Sequence, residues 1–346
     1  MSQEHLLELG LDTFGDVTES ADGDPVSYAQ VIRDVIEEAV LADGLGVDFI
    51  GVGEHHRDDF AVSAPEVVLA AIAARTSRIR LGSAVTVVSS DDPVRVFERF
   101  ATVDAVAHGR AEVILGRGSF TESFPLFGYE LSQYEELFEE KVNLFAELLT
   151  ERPVTWRGRT RSGLADQRVY PTTESGHLKT WIGVGGSPES VARAARYRMP
   201  LMLAIIGGNP MRFVPFVDLY HRALEALDAP PLPVGVHSPG YIADTDDKAR
   251  DELWPHMKRG RDRIGAERGW APLQRADFDR DAGPGGSLYV GSPETVARKI
   301  ASTAKALGLT RFDLKYSAGR LPHENLMRSI ELYGTRVIPL VRDMLA

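Results

Sequence analysis

Short buried runs alternate with amphipathic helical stretches along the chain, and this rhythm limits the fold more than any single residue does. Leu6 to Val17 reads as a strand, and Tyr28 to Ala42 follows with Val31, Ile32, Val35, Ile36, Ala39 and Val40 at helical spacing. The pattern repeats with strands at 49–53, 80–88, 111–115, 180–184, 201–206, 232–243 and 311–316. Helices are predicted between them, among them Pro65 to Ala74 and Val94 to Ala107, each with proline in the first turn. Further helices are expected from Ser132 to Leu149, Glu189 to Tyr197, Met211 to Leu227, Asp246 to Ile264, Pro293 to Leu307 and Glu324 to Met344. Eight strand–helix units with no linker of disordered composition predict one α/β domain over residues 1–346, a single (β/α)8 TIM barrel. Two stretches break the rhythm and read as insertions. One is Arg152 to Pro171, after the fourth helix, expected to be a short hairpin and loop; the other is Gly265 to Ser287, near strands seven and eight, expected to be irregular or a mobile lid.

Within that frame the second strand stands out. Phe49-Ile50-Gly51-Val52-Gly53 runs directly into Glu54-His55-His56. Alternation places Ile50, Val52 and Glu54 on one face and Gly51, Gly53 and His55 on the other. The glycine face leaves room for a flat ligand against the backbone with an imidazole at its rim, at the strand ends where parallel α/β folds hold their sites. His55 is the candidate catalytic residue and Gly53 a cofactor contact. Glu54 stands beside them among the cofactor-binding candidates, although alternation casts it as a structural partner buried against helices. A pair such as His55 and His56 is also compatible with one hydrogen-bonded and one solvated histidine. Adjacent strand residues point apart, and no His-x-His or Cys pair occurs, so no metal site is predicted.

Two glycine-rich turns add an anion-binding signal. Gly183, Gly185 and Gly186 precede Ser187-Pro188, a helix start whose free N–H groups favour phosphate. A dinucleotide fingerprint fails there, because Pro188 falls where a third glycine belongs and the strand is the fifth, not the first. Val184 to Arg193 echoes Val290 to Arg298, and in both a serine precedes proline and glutamate in a helix's first turn. Arg117 lies between Gly116 and Gly118 just after a buried strand; a surface turn is the plain account, and bidentate phosphate binding the functional one.

Composition excludes several classes. The net charge of −11 with no long basic run argues against nucleic acid or anionic membrane as partners. The absence of cysteine removes disulfides and thiolate chemistry and is compatible with a cytoplasmic location. Met1 to His5 shows no basic-then-apolar leader, and no uninterrupted apolar window is long enough to span a bilayer.

Glu54-His55-His56, then Leu81-Gly82-Ser83-Ala84 with Asp92-Pro93-Val94-Arg95, then Gly109-Arg110 with Gly116-Arg117-Gly118, and last Val290-Gly291-Ser292-Pro293 occur in an order and spacing that resemble the luciferase-like flavin-dependent monooxygenases. The resemblance runs from the first strand to the last helix. It implies a barrel binding reduced FMN, or in some branches the deazaflavin F420, at its strand ends. It implies His55 beside the reactive flavin edge, and Ala84 and Val85 under the ring system, where the family often has a non-prolyl cis peptide. It also implies Arg117, Ser187 and Ser190 as phosphate ligands, with backbone support from Gly118, Gly185 and Gly186. Oxygen transfer from O2 to a small organic substrate through a C4a-peroxyflavin and a homodimer packed through early helices follow from the same resemblance, and the absence of a nicotinamide fingerprint favours reduced flavin from a separate reductase. An F420-dependent dehydrogenase, a flavin-binding protein without turnover and a metal-dependent hydrolase are the alternatives. Gly116 and Gly186 depart from luciferase, which speaks against light emission and an aldehyde substrate.

Overall fold

A computed structural model describes residues 6–118 and 120–346; Met1 to His5 and Ser119, the residue after the Gly116-Arg117-Gly118 turn, lie outside them. Eight parallel strands close on themselves: β1 (Glu8–Thr13), β2 (Phe49–Val52), β3 (Arg80–Ser83), β4 (Ala111–Gly116), β5 (Lys179–Val184), β6 (Leu201–Ala204), β7 (Val234–Ile242) and β8 (Arg311–Lys315). Each pairs with the next, and β8 returns to β1 with Glu8 opposite Arg311 and Asp12 opposite Lys315. The predicted (β/α)8 barrel is therefore the observed one.

Around it lie α1 (Tyr28–Gly44), α2 (Pro65–Ala73), α3 (Pro93–Val106), α4 (Tyr134–Leu148), α5 (Pro188–Arg196), α6 (Val214–Ala226), α7 (Asp246–Arg268), α8 (Arg275–Ala282), α9 (Pro293–Leu307), α10 (His323–Leu332) and α11 (Ile338–Leu345). Their starts follow from local chemistry. The Asp92 carboxylate accepts from the Val94 N–H at 2.9 Å, and Ser187 and Ser292 cap α5 and α9, each followed by proline. The strands bury both faces, so their outward residues meet the helices in one continuous apolar layer.

Four expectations shift. The first strand stops at Thr13, because Gly15 turns the chain away at φ +65°. The third is interrupted after Ser83 by a cis peptide between Ala84 and Val85, beyond which Thr86–Val87 pairs with β4. The final helix breaks at Tyr333–Val337 into a wider turn ahead of Pro339, which has no N–H to continue the ladder. The second insertion is not irregular. α7 runs on to Arg268, α8 buries Phe278 and Ala282, and Tyr289–Gly291 pairs with the end of β7. Its charged composition hid a helix that buries only one narrow face. The first insertion is the expected hairpin, Val154–Trp156 against Leu164–Gln167.

A charged plug fills the N-terminal end of the barrel. Arg311 and Glu112 are both fully buried and paired at 2.8 and 2.9 Å, with the guanidinium 4.4 Å from the Phe49 ring centroid and 4.7 Å from that of Trp181. Trp181 donates its indole N–H to the same carboxylate at 2.8 Å. These partners hold Glu112 well below the usual carboxylate range despite its burial.

Candidate active site at the strand C-terminal ends

Side-chain alternation divides the upper interior of the barrel in two. From β2 to β5 the inward positions are Gly51, Gly53, Ala84, Gly116 and Gly183; on β7, β8 and β1 they are His237, Lys315 and Asp12. On the small half the backbone is packed to contact. A Cβ on Gly53 would sit 2.4 Å from Phe14 and 2.9 Å from the Ala84 carbonyl oxygen, and one on Gly116 would sit 2.4 Å from Val85. The cis peptide falls between the two residues expected under a flavin ring.

His55 sits at the rim of this half inside an aromatic cage. Its ring centroid lies 4.6 Å from that of Phe14, 4.4 Å from Phe60 and 5.1 Å from Phe120. Its Nε2 is buried with no hydrogen-bond partner among the described residues. Burial pushes the imidazole down to about 3, against the opposing influence of the Asp16 carboxylate. The ordinary value near 6.5 that sequence suggests, with proton transfer in either direction at neutral pH, therefore does not hold; the ring is uncharged there. Glu54 is used by the protein itself. Its Oε2 accepts from the Val87 N–H at 3.0 Å and its Oε1 lies 2.9 Å from His56 Nε2, so the carboxylate braces the segment after the cis peptide.

The second cluster assembles at the ends of β4 and β5. Arg117 donates to Ser190 Oγ at 3.3 Å, and Ser187 and Ser190 Oγ lie 2.9 Å apart at the N-terminus of α5. Gly186 holds φ +105° with its Cα face 3.3 Å from the Phe213 ring when a Cβ is added, whereas Gly185 faces open space. Gly118 at φ +74° turns the chain behind Arg117, and its carbonyl accepts from Tyr134 Oη at 3.1 Å. Arg117, Ser187, Ser190 and the two glycines thus converge as sequence predicts. Glu135, absent from that reading, pairs with the Arg117 guanidinium.

Sequence reasoning also missed Phe14, Phe60 and Phe120 as a cage, and the pair Asp12–His237, whose Oδ2 and Nδ1 are 2.7 Å apart. Applying alternation to strands one and seven as well as two would have placed both of the latter inside the barrel. Over the mouth, Arg57 binds Glu267 at 2.7 and 2.8 Å, Asp59 at 3.1 Å, and Glu122, so that α7 is tied to the loops after β2 and β4. Among the described residues, no group of three or more acidic, histidine or cysteine side chains is placed to hold a metal ion, and no helix is long and apolar enough to cross a membrane.

A family model described as luciferase-like monooxygenase matches residues 13–311. The crystal structure of the monooxygenase RslO1 from Streptomyces bottropensis superposes with TM-score 0.81 at 25% identity, covering 96% of this chain and 99% of that one. The oxygenating constituent of 3,6-diketocamphane monooxygenase from Pseudomonas putida, in complex with FMN, gives 0.78 at 18% identity over 97% and 98% of the two chains. An F420-dependent secondary alcohol dehydrogenase gives 0.76 at 17%, over 98% and 100%.

Proposed function

The chain belongs to the luciferase-like monooxygenase family, and from that premise we propose that it is an FMN-dependent monooxygenase that transfers one oxygen of O2 to a small organic substrate. The observation that carries the choice of cofactor is the corner at Arg117. One guanidinium, two serine hydroxyls and a helix N-terminus match a single phosphate in charge and donor number. F420 carries a phosphate there too, but its oligocarboxylate tail brings further negative charge to a corner where Glu135 already pairs with the guanidinium.

The fit extends to the ring system. On the half of the mouth next to that corner Phe14, Ala84 and Val85 fill the space beside Gly53, Gly51 and Gly116, so any ring lies over these side chains, and the orphaned His55 Nε2 offers a hydrogen-bonding atom at its edge. Reduced FMN, when bound, supplies the electrons that activate O2. The protein's part is to hold and to exclude. Arg117, Ser187 and Ser190 anchor the phosphate and Gly185 lets it approach the backbone. Gly53 and Ala84–Val85 present a flat surface braced from behind by Glu54. His55 positions the ring edge with an uncharged imidazole whose Nε2 is left to hydrogen-bond it, while Phe14, Phe60 and Phe120 keep water from it. Reduced flavin comes from a separate reductase in this reading, because the fifth strand lacks a nicotinamide fingerprint.

The test is reconstitution with each cofactor. FMN should bind at least tenfold more tightly than F420, and oxygen uptake should follow addition of photoreduced FMN. Tighter binding of F420, with alcohol-dependent F420 reduction and no oxygen uptake, would overturn the assignment in favour of hydride transfer.

A further inference from the structure

The cofactor reading uses one half of the barrel mouth and leaves the ionisable half idle. His237 reaches inward from β7, and its Nδ1 lies 2.7 Å from Asp12 Oδ2 on β1, two strands away. Asp12 is fully buried against Nδ1, and in the tautomer with the proton on Nδ1 its carboxylate accepts and the Nε2 lone pair is free. The ring stacks on Phe14 with centroids 5.9 Å apart and planes 18° apart, and Phe14 also meets His55 edge to face at 4.6 Å. One phenyl ring therefore touches both histidines of the mouth. The His237 side chain keeps 13% of its surface exposed, whereas Asp12 keeps 1%.

A purely structural pair that ties β1 to β7 would use both carboxylate oxygens. Asp12 Oδ1 is instead buried without a partner among the described residues. The charged neighbours are accounted for. Lys315 is bound by Asp16 at 3.0 Å and sits 4.5 Å from the Phe14 ring centroid, and Asp313, opposite His237 in register, has its carboxyl pushed well above the usual range by burial. Among the described residues neither hydrogen-bonds His237, whose side chain keeps part of its surface open.

We propose that Asp12 and His237 form a second proton-transfer pair that serves the organic substrate, with His237 Nε2 as general base toward a phenolic or enolic hydroxyl. The inference rests on the cofactor reading for which half of the mouth the flavin takes. In the step, the substrate O–H bond breaks, the proton passes to Nε2, and the electron pair stays on the substrate oxygen. Asp12 balances the imidazolium charge, and no oxidant is consumed. Deprotonation makes the conjugated carbon electron-rich, which is the state an incoming electrophilic oxygen requires. The substrate class follows: a small aromatic or enolisable compound carrying an acidic hydroxyl within reach of Nε2.

The probe is 4-nitrophenol, whose anion alone absorbs in the visible, added to the protein with and without oxidised FMN at a pH one unit below the probe's own pKa. In the parent about half of the bound probe should be anionic, about a tenfold rise in its ionised-to-neutral ratio over free solution. His237→Gln should abolish the rise, Asp12→Asn should remove most of it, and His55→Ala should leave it within twofold. Circular dichroism confirms that each variant is folded, and His237→Asn replaces any that is not. The proposal is overturned by a neutral bound probe, by an unchanged anion fraction in His237→Gln, or by no binding at millimolar probe. FMN affinity is measured on the same samples, so loss of flavin binding refutes the cofactor reading while the probe result stands on its own.

Discussion

Removing the Arg117 guanidinium separates phosphate binding from every other account of that corner. In the protein Arg117 is engaged by Glu135, which is 63% exposed, and by Ser190. An arriving phosphate displaces Glu135, and an exposed pair of this kind contributes only about 0–1 kcal/mol. The charge-assisted hydrogen bond that replaces it contributes roughly 1.5–3 kcal/mol. The α5 N-terminus adds about 0.3–1 kcal/mol, which Arg117→Ala does not remove. The net loss is then about 0.5–3 kcal/mol, or roughly 2- to 140-fold in Kd at 1.4 kcal/mol per decade. The assay titrates FMN and riboflavin side by side by quenching of flavin fluorescence. The parent should prefer FMN by about tenfold or more, and the variant should lose most of that preference with riboflavin affinity unchanged. Glu135→Ala should move the other way and tighten FMN by up to about 5-fold, because the competing carboxylate is gone. Equal affinity for the two flavins in the parent, or equal losses of both in Arg117→Ala, would refute the reasoning.

The buried imidazole of His55 gives two further expectations. His55→Ala should keep FMN affinity nearly intact yet slow oxygen transfer by about 10²-fold in single turnover, and an unchanged rate would make the residue scaffold only. Its folded-state value, about 3 against 6.5, means the unfolded chain takes up a proton that the folded one refuses, so the stability it contributes is present above pH 6.5 and is lost as pH falls. Between pH 6.5 and 5 the parent should lose about 2 kcal/mol more in urea unfolding than His55→Gln does. At the barrel base, Arg311→Met leaves the buried Glu112 carboxylate to Arg80, Lys179 and Trp181 and should cost up to about 3–5 kcal/mol; a shift under 1 kcal/mol by chemical denaturation would show that those partners compensate. On the outside, α2 is apolar nearly all round, with Val67 71% exposed, and light scattering should give twice the 38.0 kDa chain mass, falling to one chain in Val67→Lys.

The parts legible in the sequence are those whose cause is local. Period-two and helical repeats gave the barrel, proline after a capping residue gave the starts of α3, α5 and α9, and the glycine face of β2 gave the approach to His55. Arg117 and Ser190 were readable because each follows a strand end by a few residues, and the barrel brings all strand ends to one rim. What stayed hidden depends on distance along the chain. Asp12 and His237 are 225 residues apart, and the cage around His55 draws one phenylalanine from each of three loops. The depressed pKa of His55 is a consequence of that cage, so no inspection of Glu54-His55-His56 could supply it. Helix α8 was missed because a single phenylalanine on an otherwise charged stretch carries almost no periodic signal, yet its burial against α7 is enough to order it.

The plug of Arg311, Glu112, Phe49 and Trp181 has a kinetic corollary. A barrel stoppered at its base is closed at that end among the described residues, so on the proposed reading cofactor, oxygen, substrate and product would all pass the opposite rim in a single queue. Whatever enters first lies deepest, and whatever enters last bars the exit. Sequence of arrival is then imposed by geometry before affinities are compared, and a product cannot depart past a ligand still lodged nearer the rim. Turnover in such a vessel is governed by the order of leaving as much as by chemistry.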